Sequence, residues 1–265
     1  MSLTMSHGPL SGDPHEGNYV IQGPQHRLLF DDFPRRVRGL FDGTVVLDTQ
    51  DGRLLHETGL LPRLYVPESD VSWDLLEATD HSTHCPFKGD ASYWSARSGD
   101  RVATNAAWTY QSPFEPANWL KGHLSFYWDS LDEWFDEDEK VEGHLRDPYH
   151  RVDVRATSRH VRIAVDGEVV ADSTNAKLLS ETGVQNRYYV PTEDVRVDLL
   201  EPSTTETVCP YKGRAWYRSL SLGGRRWEDA AWFYPEPLEN ALKVRDHLSF
   251  DGAGISVEVD GRPPR

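Results

Sequence analysis

The sequence predicts a mainly β protein built as two tandem modules, and three observations carry that expectation. Sliding the chain by 124 positions lays its first half on its second without a gap, from about Pro24 on Pro148 to Phe126 on Phe250. A fixed internal period is the signature of a repeated structural unit. Short stretches alternate apolar and polar residues with the two-residue period of half-buried strands. Asp-Gly pairs stand between such stretches at the same place in both copies, where two consecutive positive φ angles close a hairpin.

Taken in chain order, residues 1 to 23 have no partner in the second half and carry Gly8, Gly12, Gly17, Gly23, Pro9 and Pro14. This composition reads as a flexible or draped N-terminal arm. The first module then runs from 24 to 143 and the second from 144 to 265, and each is long enough to bury its own core. Between them the stretch 129–142 carries Asp132, Glu133, Asp136, Glu137, Asp138, Glu139 and Glu142. Such a run reads as a solvated connector or the exposed end of a last strand.

Inside the modules, Val161, Ile163 and Val165 alternate with Arg162 and Ala164, and Asp166-Gly167 turns the chain into Val169-Val170. Asp42-Gly43 does the same in the first copy. Strands are also predicted where Val195, Val197 and Leu199 alternate with Arg196 and Asp198, and where Leu124, Phe126 and Trp128 alternate with Ser125 and Tyr127. A short helix is predicted at Pro237–Lys243, with a counterpart starting at Pro113.

The formal charge of −15 and the isoelectric point near 5.1 argue against nucleic-acid and anionic-membrane partners, which require a Lys/Arg footprint. No apolar run is long enough to span a bilayer and residues 1–17 lack a basic-then-apolar order, so a cytoplasmic protein is expected. Cys85 and Cys209 give one thiol per module, which suits a reducing compartment. His81, His84 and Cys85 hint at a metal cluster, yet their partners are Thr205, Val208 and Cys209. With no Cys-x-x-Cys pair, no metal and no cofactor is expected.

Residues kept by both copies are the candidates for function. Cys85 with Lys88, and Cys209 with Lys212, are candidate catalytic pairs, since a nearby ammonium stabilises the nucleophilic thiolate; the opposing reading makes each cysteine a small buried hydrophobe. His123 and His247 are candidate bases for those thiols. Glu57, Arg63 and Tyr65, repeated as Glu181, Arg187 and Tyr189, form a polar set. It suits either a small anionic ligand on the guanidinium fork or an Arg–Glu ion pair tying strands together. Trp108 and Tyr110, repeated as Trp232 and Tyr234, stand at i and i+2 on one strand face, and either wall a pocket or fill a core.

Several motifs carry a family resemblance: Glu57-Thr58-Gly59, Arg63-Leu64-Tyr65-Val66-Pro67, Cys85-Pro86-Phe87-Lys88-Gly89 and Ala107-Trp108-Thr109-Tyr110, together with their second-copy partners. The chain resembles, in tandem form, the domain-of-unknown-function family numbered 427. The resemblance implies a β-tent module, similar in fold to methionine sulfoxide reductase B and to the drug-binding domain of cereblon, without their zinc site. It implies no function. A nucleotidyltransferase label is attached to the family, but the sequence lacks the Gly-Ser followed by paired aspartates, and the Gly-rich phosphate loop, that such chemistry needs. The expected function is binding of a small molecule, an anion among the options, in a polar and aromatic pocket of each module, with cysteine chemistry as an extension. The alternative is a non-catalytic interaction or scaffold protein whose shared residues are structural. The two modules are expected to pack as an intramolecular pseudo-dimer.

Overall fold

The structure, a computed structural model, describes residues 26–264; the expected N-terminal arm lies outside them. The chain divides into two compact units, one ending at Asp147 and the other beginning at Pro148. The first unit holds β1 (Leu28–Asp32), β2 (Val37–Phe41), β3 (Thr44–Thr49), β4 (Arg53–Glu57), β5 (Arg63–Pro67), β6 (Leu76–Cys85), β7 (Gly89–Ser98), β8 (Arg101–Thr109), β9 (His123–Phe126), β10 (Glu133–Asp136) and β11 (Glu139–Lys140). The second holds β12 (Val152–Ala156), β13 (Val161–Val165), β14 (Glu168–Ser173), β15 (Lys177–Glu181), β16 (Val184–Pro191), β17 (Leu200–Cys209), β18 (Gly213–Leu222), β19 (Arg225–Phe233), β20 (His247–Phe250) and β21 (Ile255–Val259).

Each unit is mainly β and is built from two antiparallel sheets. The large sheet has seven strands in the order β1-β4-β5-β9-β8-β7-β6 in the first unit and β12-β15-β16-β20-β19-β18-β17 in the second. These orders are identical when strands are matched by the sequence period, as a gapless repeat requires. The small sheets are β11-β10-β2-β3 and β14-β13-β21. Asp42-Gly43 and Asp166-Gly167 close the β2–β3 and β13–β14 hairpins with φ of 52° and 71°, and of 48° and 89°, a mirror-image turn that matches strand twist.

The large sheet is covered on both faces. In the first unit Leu54, Leu64, Val66 and Leu124 face the small sheet with Val37, Phe41, Val46 and Trp134. Their neighbours Leu55, Tyr65 and Trp108 belong to the cluster on the other face, closed by Ala117 and Leu120 of a 3-10 helix at Glu115–Leu120. The second unit repeats this with Leu179, Tyr189 and Tyr211 beneath Ala241 and Val244. β6 and β17 are the terminal strands of their sheets, mostly exposed, and each is interrupted by a register shift, between Ala78 and Ser82 and between Pro202 and Glu206.

Three local expectations need correction. Val195–Leu199 is not a strand: Val195 forms one isolated bridge to Ala171, and Val197–Leu199 is a 3-10 turn carrying the chain from β16 to β17. Val195 and Leu199 still reach the core, while Val197 is exposed, so the alternation reports burial without extended backbone. Trp128 likewise opens a 3-10 turn, Trp128–Ser130, after β9 ends at Phe126. The predicted helices are 3-10 and begin two residues later, at Glu115 and Glu239.

The acidic stretch before the second unit is largely structured. Asp132 and Asp136 pair with Arg101 and Arg35, each at 2.7 Å, and β10 joins β2. Among the described residues no helix is long and apolar enough to cross a membrane.

Candidate functional site

The motif Cys85-Pro86-Phe87-Lys88-Gly89 is the loop of the β6–β7 hairpin. Pro86 sets the first turn angle, Lys88 N–H donates to the Cys85 carbonyl at 3.3 Å, and Gly89 takes a φ of +103° that residues with a Cβ avoid. The second copy repeats it, with Lys212 N–H on the Cys209 carbonyl at 3.2 Å and Gly213 at +101°. The turn aims the lysine inward. Lys88 is 7 % exposed, and its ammonium forms an ion pair with Glu57, itself 6 % exposed, at the end of β4. Lys212 pairs with Glu181 in the same way.

A third partner completes each pair. His26 Nε2 lies 3.0 Å from Glu57 Oε1, and His150 Nε2 lies 3.1 Å from Glu181 Oε1. A carboxylate only accepts, so Nε2 is the protonated nitrogen in both rings. The imidazoles stack on the aromatic residue of the loop, His26 on Phe87 at 3.6 Å between centroids and His150 on Tyr211 at 4.2 Å. Burial pushes the Glu181 carboxyl up, but the His150 hydrogen bond and the charge and hydrogen bond of Lys212 outweigh it and hold the group below its ordinary range. Neither histidine was among the sequence candidates. The signal was present in the repeat register, which lays His26 on His150.

The aromatic candidates surround this centre. Trp108 Nε1 donates to the Tyr65 hydroxyl at 3.2 Å, and Trp232 Nε1 to that of Tyr189 at 3.1 Å. Burial raises the Tyr65, Tyr110 and Tyr234 phenols far above their ordinary value and pushes Tyr189 up to about 12. These phenols stay protonated at neutral pH. Cys85 and Cys209 are half-buried against the same aromatic layer, and among the described residues neither sulfur makes a hydrogen bond. His123 Nδ1 instead meets the Lys121 carbonyl at 3.3 Å, and His247 Nδ1 that of Arg245 at 2.6 Å.

Two of the pairings left open by the sequence take other partners. Lys88 and Lys212 serve glutamates rather than thiols, and the Arg–Glu ion pair is replaced by Lys–Glu. Arg187 turns to Asp251 at 2.8 Å and lies over the Trp232 ring at 5.6 Å. Arg63 is half-buried, with Tyr127 at the position of Asp251. His81 packs on the Tyr93 ring and His84 pairs with exposed Asp90. Among the described residues no three His, Cys, Asp or Glu side chains gather as metal ligands.

One open space lies among positions most of which differ between the copies. The first unit has a cleft of about 710 Å³ lined by Phe30, Asp32, Asp51, Arg53, Trp119 and His123 among others. Phe30 stacks on Trp119 at 4.9 Å and meets the edge of His123 at 5.2 Å, while Arg53 pairs with Asp32 at 2.9 Å. Burial pushes His123 below its ordinary value, leaving it neutral at pH 7. Among the described residues Asp51 makes no ion pair, and it is then the uncompensated charge of the cleft. At the twin positions stand Val154, Ala156, Lys177 and Lys243, and Lys243 Nζ donates to the Val154 carbonyl at 3.3 Å.

A family model described as Domain of unknown function (DUF427), under a nucleotidyltransferase label, matches residues 30–137 and again 153–261. No curated protein matches the chain.

Proposed function

The chain belongs to the DUF427 family, carrying its domain twice, and from that premise we propose that it is a non-catalytic small-molecule-binding protein whose first unit takes a flat, nitrogen-bearing ring compound, neutral or cationic, in the Phe30–Trp119 cleft. The observation that carries this reading is the cleft itself. Its volume of about 710 Å³ falls in the range of small-molecule sites. It combines stacking surfaces with carboxylates that accept from ring N–H groups. Of the residues kept by both copies, the lysines are committed to glutamates and the Tyr65 and Tyr189 hydroxyls accept from tryptophans, so the reading involves no covalent step at Cys85 or Cys209.

The test is an NMR titration of the full chain with 2-aminobenzimidazole, with benzoate as the anionic control. Saturable shifts at Phe30, Asp51 and Trp119 are expected with the first and not with the second. They disappear in Phe30→Val with Trp119→Lys, substitutions that copy the second unit at these positions. Absence of saturable shifts at these three residues, or equal shifts at them with benzoate, overturns the reading in favour of a scaffold role.

A further inference from the structure

The second unit contains a cavity of a different character, on the small-sheet side of its large sheet. It has a volume of about 350 Å³ and is walled by Val197, Leu200, Pro202, Phe233 and Leu248, with Arg218 and Thr192 as its polar members. Arg218 lies on β18, its Cα paired with those of Pro202 and Ala231, and its guanidinium stands over the Phe233 ring at 5.1 Å. Among the described residues no carboxylate pairs with it. Glu201 pairs with Arg226 and Asp198 with Arg196. The Thr192 hydroxyl donates to the Asp246 carbonyl at 2.8 Å.

The first unit carries bulkier aromatic residues at the same place. Trp73 and Trp94 occupy the positions of Val197 and Arg218, and their rings meet edge to face at 5.7 Å. Thr109 replaces Phe233 and ties its hydroxyl to the His123 carbonyl at 2.6 Å. Two indoles are thus exchanged for an isopropyl group and a guanidinium within an otherwise matched sheet. The exchange removes aromatic bulk and places one positive charge beside the cavity.

We propose that this cavity is a binding site for a small amphiphilic carboxylate, its anionic head on the Arg218 guanidinium and its aliphatic or single-ring body against Val197, Leu200, Phe233 and Leu248. A guanidinium offers a planar pair of N–H donors to a carboxylate, and the half-apolar setting strengthens that contact relative to bulk water. The apolar wall accounts for the remainder of the ligand. This site is independent of the first-unit cleft: it lies in the other unit, at a different place on the sheet, and reads the opposite charge.

Hexanoate, 1-hexanol and hexylammonium, titrated into the full chain by NMR, test the assignment. Hexanoate is expected to give saturable shifts at Val197, Arg218 and Leu248 while the alcohol and the amine do not. Arg218→Met keeps the length of the side chain and should weaken hexanoate by at least about tenfold, the loss of one charge-assisted contact. Val197→Trp with Arg218→Trp installs the first unit's own residues and should abolish binding with the spectrum otherwise retained. Absence of saturable shifts with hexanoate, equal binding of 1-hexanol, an unaffected Arg218→Met variant, or persistent binding in the double-tryptophan variant would each overturn the proposal.

Discussion

Lys88 follows Cys85 by three positions, yet its ammonium is held by Glu57, 31 positions away on β4. The hairpin loop thereby fastens two strands that are not neighbours in the large sheet. An ion pair with both members this buried stabilises little relative to apolar residues of the same shape, but removing one member strands the other charge. Lys88→Met or Glu57→Gln alone should cost the first unit about 3–5 kcal/mol, and Glu57→Met with Lys88→Met should recover a large part of it. Urea unfolding followed on first-unit resonances decides this; additive losses would contradict the pairing.

Tyr65 is 2 % exposed and accepts from Trp108 Nε1. Tyr65→Phe leaves that indole N–H buried without an acceptor, at an expected cost of about 1–3 kcal/mol. Thermal unfolding measures it, and a neutral result would mean that another acceptor replaces the phenol.

Gly89 and Gly213 share a φ near +100°, but differ in what a methyl group would meet. A Cβ at Gly89 comes no closer than 3.5 Å to the Ser112 carbonyl oxygen and Phe114 nitrogen, whereas at Gly213 it stands 3.0 Å from the Glu236 carbonyl oxygen. Both alanine variants should lose about 1–2 kcal/mol to the backbone conformation, and Gly213→Ala should lose more. Equal losses would show that the loop relaxes around the added atom.

His56 is 1 % exposed, and its Nδ1 lies 4.0 Å from the carboxylate of Asp147, also buried. Burial lowers its pKa, against the pull of Asp147 and Asp31. The unfolded chain therefore takes up this proton at a higher pH than the folded one. The stability that His56 confers is complete above its unfolded value of about 6.5 and declines as pH falls below it. Imidazole resonances should place His56 below ordinary histidines. His56→Ser, which copies Ser180 of the second unit, should flatten the acid side of the stability curve. Titration of His56 at or above the ordinary value would reverse the expected sign.

Much of the fold was legible because it is written twice: a gapless period demands the same strand order in both units, and Asp-Gly states its own turn angles. Val197 was misread because alternation reports which residues touch the core, and a 3-10 crossing satisfies it as a strand does. The Lys88–Glu57–His26 centre was visible only as three retained residues. Their association depends on β4 and the β6–β7 loop meeting across the sheet, and short-range spacing carries no such information. The cavities were the least legible of all. They lie mostly where the copies differ, as at Trp94 and Arg218, and a repeat points only to what its copies share.

Among the described residues β6 and β17 end their sheets as long strands, and an unpaired terminal strand is a ready template for another chain to extend into a fibril. Both carry the means to prevent it. Glu77 and Asp80 on β6, and Glu201, Pro202 and Glu206 on β17, put charge or a missing N–H along that strand, beside the register shift that already breaks its regularity. A strand laid against either edge would bury charge and lose pairing midway. At these two margins the repeat preserves resistance to aggregation alongside its architecture.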